Sequence, residues 1–200
     1  MAVTDAIGST LVVGRRRRLL ECALTVFNRR GYSASRVDDV CAEAGISRAT
    51  FYRYFEGKEE VFDALIDLMS SEVLDTAAHL GAVTPDADGK ATLAHWIADL
   101  ISITERWGGL VDEVNAPRVT NPGARERAVL LTSRFANVLS DRFTQGGVSG
   151  VDTKLAALAI IAMTERTAHQ VRTWDVDIDR TAMVDSLATL AMKMLHPMAG

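Results

Sequence analysis

Residues 48–54 form a short stretch that is rich in side chains able to bind nucleic acid: Arg48, Ala49, Thr50, Tyr52, Arg53 and Tyr54. On a helical wheel of about 100° per residue, Phe51 and Phe55 lie about 40° apart, and Ala49 and Arg53 point away from them. A guanidinium can donate to O6 and N7 of guanine, and an alanine or threonine methyl can contact a thymine methyl. The stretch therefore predicts a helix that reads base edges in a major groove.

The flanking sequence predicts the elements that position this helix. A short helix with four inward apolar residues precedes it: Val37, Val40, Cys41 and Ala44. Ser35 and Asp38 resemble a capping box at its start, Gly45 ends it, and Ser47 can cap the next helix, which runs from Arg48 to about Phe55. Two short helices around a glycine-containing turn are a helix-turn-helix.

Apolar spacing of three and four residues continues along the rest of the chain. It predicts a helix at 15–30, a long one at about 58–80, and others at roughly 90–107, 109–116, 122–145, 152–174 and 179–195. No stretch alternates with the period of a strand, so the predicted fold is all-α with about nine helices. The predicted organisation is a flexible tail at 1–14, a three-helix DNA-binding domain at 15–60 and a C-terminal helical domain at 61–200.

The charge distribution agrees with a nucleic-acid-binding head, although the net charge of −4 alone argues against one. Residues 1–58 hold ten Lys and Arg against six Asp and Glu, and residues 59–200 hold twelve against twenty. The first part therefore carries +4 and the second −8. A basic head joined to an acidic body suits a phosphate-binding domain attached to one that does not touch DNA.

Three segments within residues 17–67 resemble the DNA-binding domain of the TetR family: AEAGIS at 42–47, TFYRYF at 50–55 and KEEVF at 58–62. The resemblance implies a dimeric transcriptional regulator, usually a repressor, that binds a palindromic operator in double-stranded DNA. It places Ser47, the recognition residues at 48–50 and 52–54, and Lys58 against the DNA, with Lys58 on a phosphate. In a two-fold dimer the recognition helices should lie about 34–36 Å apart, or slightly farther.

Two groups of these DNA-binding candidates also have a purely structural explanation. The cluster Arg15, Arg16, Arg17 and Arg18 is either a solvated helix start or a contact to phosphate or the minor groove. Tyr52 and Tyr54 either pack their rings on the domain or reach phosphate while they pack.

The C-terminal helices are predicted to form a dimer and to enclose an effector. By resemblance, the stretches 152–174 and 179–195 form the dimer's four-helix bundle, although a monomer's own core explains the same apolar pattern. Large apolar residues beside a few polar groups favour a site for a small, largely apolar ligand. The nominated residues are Trp96, Ile97, Leu100, Trp107, Phe135, Leu139, Met163, Thr164 and Trp174. The segment TERT at 164–167 resembles an EthR-like actinobacterial branch, which implies an elongated effector.

Other functions find little support in the sequence. Glu165, His169 and Asp175 form the best catalytic candidate, but no nucleophile elbow, phosphate-binding loop or metal motif accompanies them. We therefore expect no enzymatic activity, no metal and no cofactor. No apolar run is long enough to span a bilayer and no secretory signal is visible, so we expect a cytoplasmic protein without membrane contact. The remaining alternative is a DNA-binding regulator that is constitutive or controlled by a partner protein.

Overall fold

The computed structural model describes residues 2–116 and 123–196. Nine helices and no strand occur in this part of the chain, which confirms the predicted all-α fold. Their bounds are α1 Ala2–Arg30, α2 Val37–Ala44, α3 Arg48–Phe51, α4 Lys58–Ala78, α5 Ala87–Arg106, α6 Gly108–Asn115, α7 Ala124–Gln145, α8 Thr153–Thr173 and α9 Arg180–Leu195. Met1, the predicted break between Pro117 and Pro122, and residues 197–200 lie outside the described residues.

The first helix is longer than the sequence analysis expected. Residues 1–14 were predicted to form a flexible tail, whereas α1 begins at Ala2. No proline interrupts this segment. Adding residues to an existing helix is far less costly than nucleating a new one, so the helix formed by the apolar stripe after Arg15 can extend toward the N-terminus. Gly31 then ends α1 with a left-handed φ of 78°.

The start of α2 lies one residue later than the predicted capping box. Arg36 is the cap residue, and its backbone N–H donates to the Asp39 carboxylate at 2.8 Å. Ser35 does not cap α2, because its hydroxyl donates to the Gly31 carbonyl at 2.6 Å and closes the end of α1. Asp38, the predicted partner of Ser35, instead pairs with Arg48.

The recognition helix has the predicted start and the predicted inner face but an earlier end. Ser47 caps α3 as expected, accepting the backbone N–H of Thr50 at 3.2 Å. Regular helix stops at Phe51, and residues 52–54 continue as a turn in which Tyr54 N–H donates to the Phe51 carbonyl at 2.9 Å. Phe51 and Phe55 are buried, so the turn preserves the inward direction that a continuous helix would have given.

The chain divides into two compact units whose boundary differs from the predicted one at residue 60. One unit comprises Met1–Leu68 with Trp107–Arg125, and the other comprises Met69–Arg106 with Glu126–Gly200. Helix α6 belongs to the first unit because it packs against α1. Two side-chain bonds hold it: Gly109 N–H donates to Asn28 Oδ1 at 2.8 Å, and Ser33 donates to the buried Glu113 at 2.9 Å.

The second unit is built around α5, which packs against both α8 and α9. Its interior is aliphatic and aromatic, and it includes Leu93, Ile97, Ile101, Leu139, Phe143, Ile160 and Leu187. Asp152 caps α8 and Asp179 caps α9, each accepting backbone N–H groups of the first turn. Outside the packed face, Arg180 pairs with Glu105 at 2.6 Å and joins α9 to α5.

Gly109 should be essential to the stability of the first unit. A Cβ at this position would lie 2.5 Å from the Phe27 carbonyl oxygen, which is backbone and cannot move away cheaply. We expect Gly109→Ala to lower the free energy of unfolding by about 1–3 kcal/mol, measured by urea denaturation. Gly14→Ala is the matched control, because nothing lies within 4 Å of its added Cβ. The control should be neutral or slightly stabilising, and equal behaviour of the two variants would contradict the close approach of α6 to α1.

Candidate functional site

The start of α4 is fixed to the loop between α1 and α2 by Lys58. Its ammonium donates to the Tyr32 carbonyl at 2.8 Å and to the Ser35 carbonyl at 2.9 Å, and it lies 4.1 Å from the centre of the Tyr32 ring. Partial burial lowers the pKa of Lys58, and the charges of Glu59 and Glu113 oppose that shift. Two of its three N–H donors are therefore used inside the domain, which the resemblance to a phosphate-contacting position did not indicate.

The residues predicted to read DNA share one exposed surface, which we call the reading face: Ala49, Thr50, Tyr52 and Arg53. Ala49, Tyr52 and Arg53 are exposed, and Thr50 is half-buried. Behind them, the Phe51 ring packs on Phe55 with centroids 5.8 Å apart. The orientation predicted from the helical wheel is thus present in the structure. Its contact with DNA stays a prediction.

Arg48 and Arg53 differ in whether their guanidinium groups already bind other side chains of the protein. Arg48 donates to both carboxylate oxygens of Asp38 at 2.9 and 3.0 Å and to the Tyr52 hydroxyl at 3.3 Å. The bond to Tyr52 and the charge of Asp38 raise the pKa of Arg48. Arg53 is exposed and makes no ion pair with any described residue. A base or phosphate would have to displace Asp38 from Arg48, whereas Arg53 can bind without exchanging partners.

The four arginines before the first apolar stripe are not equivalent. Arg16 lies 4.6 Å over the Phe55 ring and 3.5 Å from Glu60, so it joins α1 to the end of the helix-turn-helix. Arg17 pairs with Glu21 one helical turn away at 3.2 Å. Arg15 and Arg18 are exposed. A solvated helix start does not describe Arg16, which makes contacts inside the domain, and DNA contact stays a prediction for all four arginines.

Comparison with known proteins identifies the domain that this geometry forms. The family model described as bacterial regulatory proteins of the tetR family matches residues 19–65, the segment that contains α2, α3, Lys58 and the reading face. Residues 19–65 are therefore a DNA-binding domain of the tetR family. The chain is a DNA-binding transcriptional regulator with a helix-turn-helix.

Relatives extend the likeness of this chain beyond the DNA-binding domain. The fatty acid metabolism regulator protein of Bacillus subtilis is 25% identical over 194 residues, which cover 90% of this chain and 94% of that protein. The transcriptional activator FasR of Mycolicibacterium smegmatis is 23% identical over 181 residues, covering 88% of this chain and 81% of FasR. The crystal structure of Bacillus subtilis FadR in complex with stearoyl-CoA superposes with a TM-score of 0.70 at 22% identity, covering 90% of this chain and 99% of that one.

The residues nominated for an effector site fall into two groups. Trp96, Leu100, Phe135, Leu139 and Thr164 are buried in the second unit and Met163 is half-buried there. The Trp96 and Phe135 rings are in contact, with centroids 5.9 Å apart. Two nominated tryptophans do not join them. Trp107 lies in the first unit immediately before α6, and Trp174 is 65% exposed at the end of α8.

Other kinds of site find no support in the described part of the chain. No group of three His, Cys, Asp or Glu among the described residues could hold a metal ion. No described helix combines the length and the hydropathy needed to cross a membrane. Burial is the main cause that raises the thiol pKa of both Cys22 and Cys41, which disfavours the reactive thiolate at neutral pH.

Arg53 should determine operator discrimination through the shape of its guanidinium rather than through its charge. We expect Arg53→Ala and Arg53→Lys each to reduce the preference for operator over random duplex by about 1–3 kcal/mol, because an ammonium cannot donate to O6 and N7 in the same fork. Binding titrations across salt concentrations should show a nearly unchanged salt slope for both variants.

A phosphate contact at Arg53 would give the opposite pattern. Arg53→Lys would then retain most of the affinity, and Arg53→Ala would flatten the salt slope by about one unit on both kinds of duplex. That result would remove Arg53 from base recognition. Lys58→Ala does not serve as the phosphate control, since it also removes two hydrogen bonds that hold the domain together.

Proposed function

We propose that this TetR-family protein is a homodimeric repressor that occupies a palindromic operator and leaves it when an elongated, largely apolar acyl compound binds its C-terminal domain. The observation that carries the DNA-binding part is the exposed reading face behind which Phe51 and Phe55 are buried. The proposal places the protein in the cytoplasm, where operator DNA and acyl metabolites are both present.

Control by an acyl compound is supported by the relatives and by the interior of the second unit. A fatty acid metabolism regulator matches this chain along nearly its whole length, and a FadR structure of the same fold contains stearoyl-CoA. The second unit carries a Trp96–Phe135 pair and aliphatic side chains on α5, α7 and α8. Aromatic and aliphatic side chains of this kind are typical of sites for apolar ligands.

Dimerisation through α8 and α9 is supported by apolar residues that the single chain leaves in solvent. Leu155 on α8 is 66% exposed and Leu190 on α9 is 52% exposed, although the two helices pack against each other on their inner faces. Small residues accompany them, including the exposed Ala162. A second copy that covers these leucines would complete a four-helix bundle and give the operator its two-fold symmetry.

Repression is the simplest mode for such a protein, because occupancy of an operator excludes polymerase without any further contact. The relative FasR is named an activator, so the direction of regulation depends on where the operator lies. The second candidate is a regulator whose DNA binding does not respond to a small molecule. It differs from the first only in the behaviour of the C-terminal domain, and one titration separates them.

The test uses an operator selected from a randomised duplex library with the full-length protein. Stearoyl-CoA should lower operator affinity at least about tenfold, which corresponds to a coupling free energy of about 1.4 kcal/mol. Coenzyme A without the acyl chain is the control and should have no effect. Operator binding that no acyl compound changes would favour the second candidate, and failure to select any operator would refute DNA binding itself.

Leu155→Glu should disrupt the dimer. A carboxylate on this face would be buried without a counter-ion when two copies associate, so we expect a monomer at micromolar concentration by light scattering. Val129→Glu on α7 is the matched control, because Val129 is 64% exposed but lies outside the proposed bundle. The control should remain dimeric, and a dimeric Leu155→Glu protein would exclude the proposed interface.

A further inference from the structure

Two buried polar groups in the second unit have no hydrogen-bond partner: the indole N–H of Trp96 and the hydroxyl of Thr164. Trp96 is 3% exposed and Thr164 is fully buried, so water does not satisfy either group from outside. An unsatisfied buried donor destabilises the folded state, and native proteins rarely retain one without a reason. Two such groups in one apolar interior make this part of the second unit a candidate site for a polar atom of a ligand.

The hydroxyl of Thr164 differs from several other hydroxyl groups in the described helices, including the buried one of Thr104. Threonines 25, 76, 144 and 189 and Ser102 each donate to the carbonyl four residues earlier. Thr104, which is as deeply buried as Trp96, does the same toward Leu100 at 2.9 Å. Thr164 is fully buried in the middle of α8 and does not make this bond. Its hydroxyl is therefore available to another acceptor.

Each of the two groups lies near the middle of its helix, and the two helices are neighbours. Trp96 is the tenth of the 20 residues of α5, and Thr164 is the twelfth of the 21 residues of α8. These helices pack directly against each other, and the Trp96 ring also contacts Phe135 of α7. An indole N–H can only donate, and a hydroxyl can donate. An acceptor with two lone pairs, such as a carbonyl oxygen, can satisfy both groups.

The buried side chains of the second unit favour an acceptor without a charge. Among the described residues of the second unit, the buried polar side chains are Thr104 and Thr164, and no Lys or Arg is buried there. Glu165 follows Thr164 on α8 and is half-buried, and burial raises its pKa to about 7. An ionised carboxylate would be buried without a counter-ion, whereas a neutral carbonyl would not.

We propose that Trp96 and Thr164 bind the neutral carbonyl oxygen of a chain-like ester, thioester or amide, and that the site rejects the corresponding free carboxylate. This inference rests on the proposed acyl control and narrows it. The apolar chain of the ligand lies among the aliphatic and aromatic side chains, and the carbonyl satisfies both donors.

The test compares methyl dodecanoate with dodecanoate by calorimetric titration of the full-length protein at about pH 8, where a carboxylic acid is fully ionised. The ester should bind at least about tenfold more tightly than the acid, because no cation is buried to pair with the carboxylate. Thr164→Val and Trp96→Phe should each weaken ester binding by about two- to tenfold. In the double variant the loss should be less than the product of the two, because both groups bind one oxygen.

A second readout needs no ligand. Thr164→Val replaces an unsatisfied hydroxyl by a methyl group of the same shape, so the melting temperature of the unliganded protein should rise by about 2–4 °C. Thr104→Val is the matched control, because it makes the same change at a buried hydroxyl that is already bonded. The control should not raise the melting temperature and should leave ester affinity unchanged.

The outcomes separate this inference from the proposed function. Equal binding of ester and acid, or unchanged ester affinity in both single variants, overturns the carbonyl site while acyl control stands. A melting temperature that falls in Thr164→Val as much as in Thr104→Val also overturns it. If neither dodecanoyl compound nor stearoyl-CoA binds while operator DNA still does, acyl control itself fails and the carbonyl site fails with it.

Discussion

The N-terminal domain depends on one ammonium group that is bound by backbone rather than by a carboxylate. Lys58 reaches from the first residue of α4 to two carbonyls in the loop after α1, and the Tyr32 ring covers it. Charge-assisted bonds of this kind are stronger than neutral ones, and partial burial strengthens them further. Tyr32 in turn packs on Phe27 of α1 and Phe62 of α4. The direction of the helix-turn-helix relative to α1 and α4 follows from this arrangement.

Local patterns in the sequence were sufficient for the helices and for the inner face of the recognition helix. Apolar spacing located Phe51 and Phe55, and Ser47 capped α3 as its position predicted. Contacts between residues distant in sequence were not visible. The pair formed by Ser33 and Glu113 is 80 residues apart, so no local signal assigned α6 to the first unit. A glutamate on a short amphipathic helix suggests a buried hydrogen bond. The residue that makes this bond can be identified only once the fold is known.

The residues nominated for an effector site show the same limit more clearly. Residue type alone nominated Trp96, Trp107 and Trp174 equally, because each is a large aromatic in a helical region. Burial separates them: Trp96 is enclosed in the second unit, whereas Trp174 is mostly exposed at the end of α8. Helical periodicity cannot distinguish a side chain inside a unit from one at a helix terminus, since that depends on which elements pack together. The unsatisfied hydroxyl of Thr164 is likewise a property of tertiary structure.

Two residues of the reading face, Ala49 and Arg53, contribute almost nothing to the core that supports them. Ala49 and Arg53 are exposed, while Phe51, Phe55 and Lys58 hold the scaffold. Most substitutions at exposed positions without special contacts change stability by less than about 0.5 kcal/mol. Duplicated copies of such a gene can therefore acquire new operators by changing two or three codons, without loss of folding. The same independence would let a designer build orthogonal genetic switches from this one scaffold.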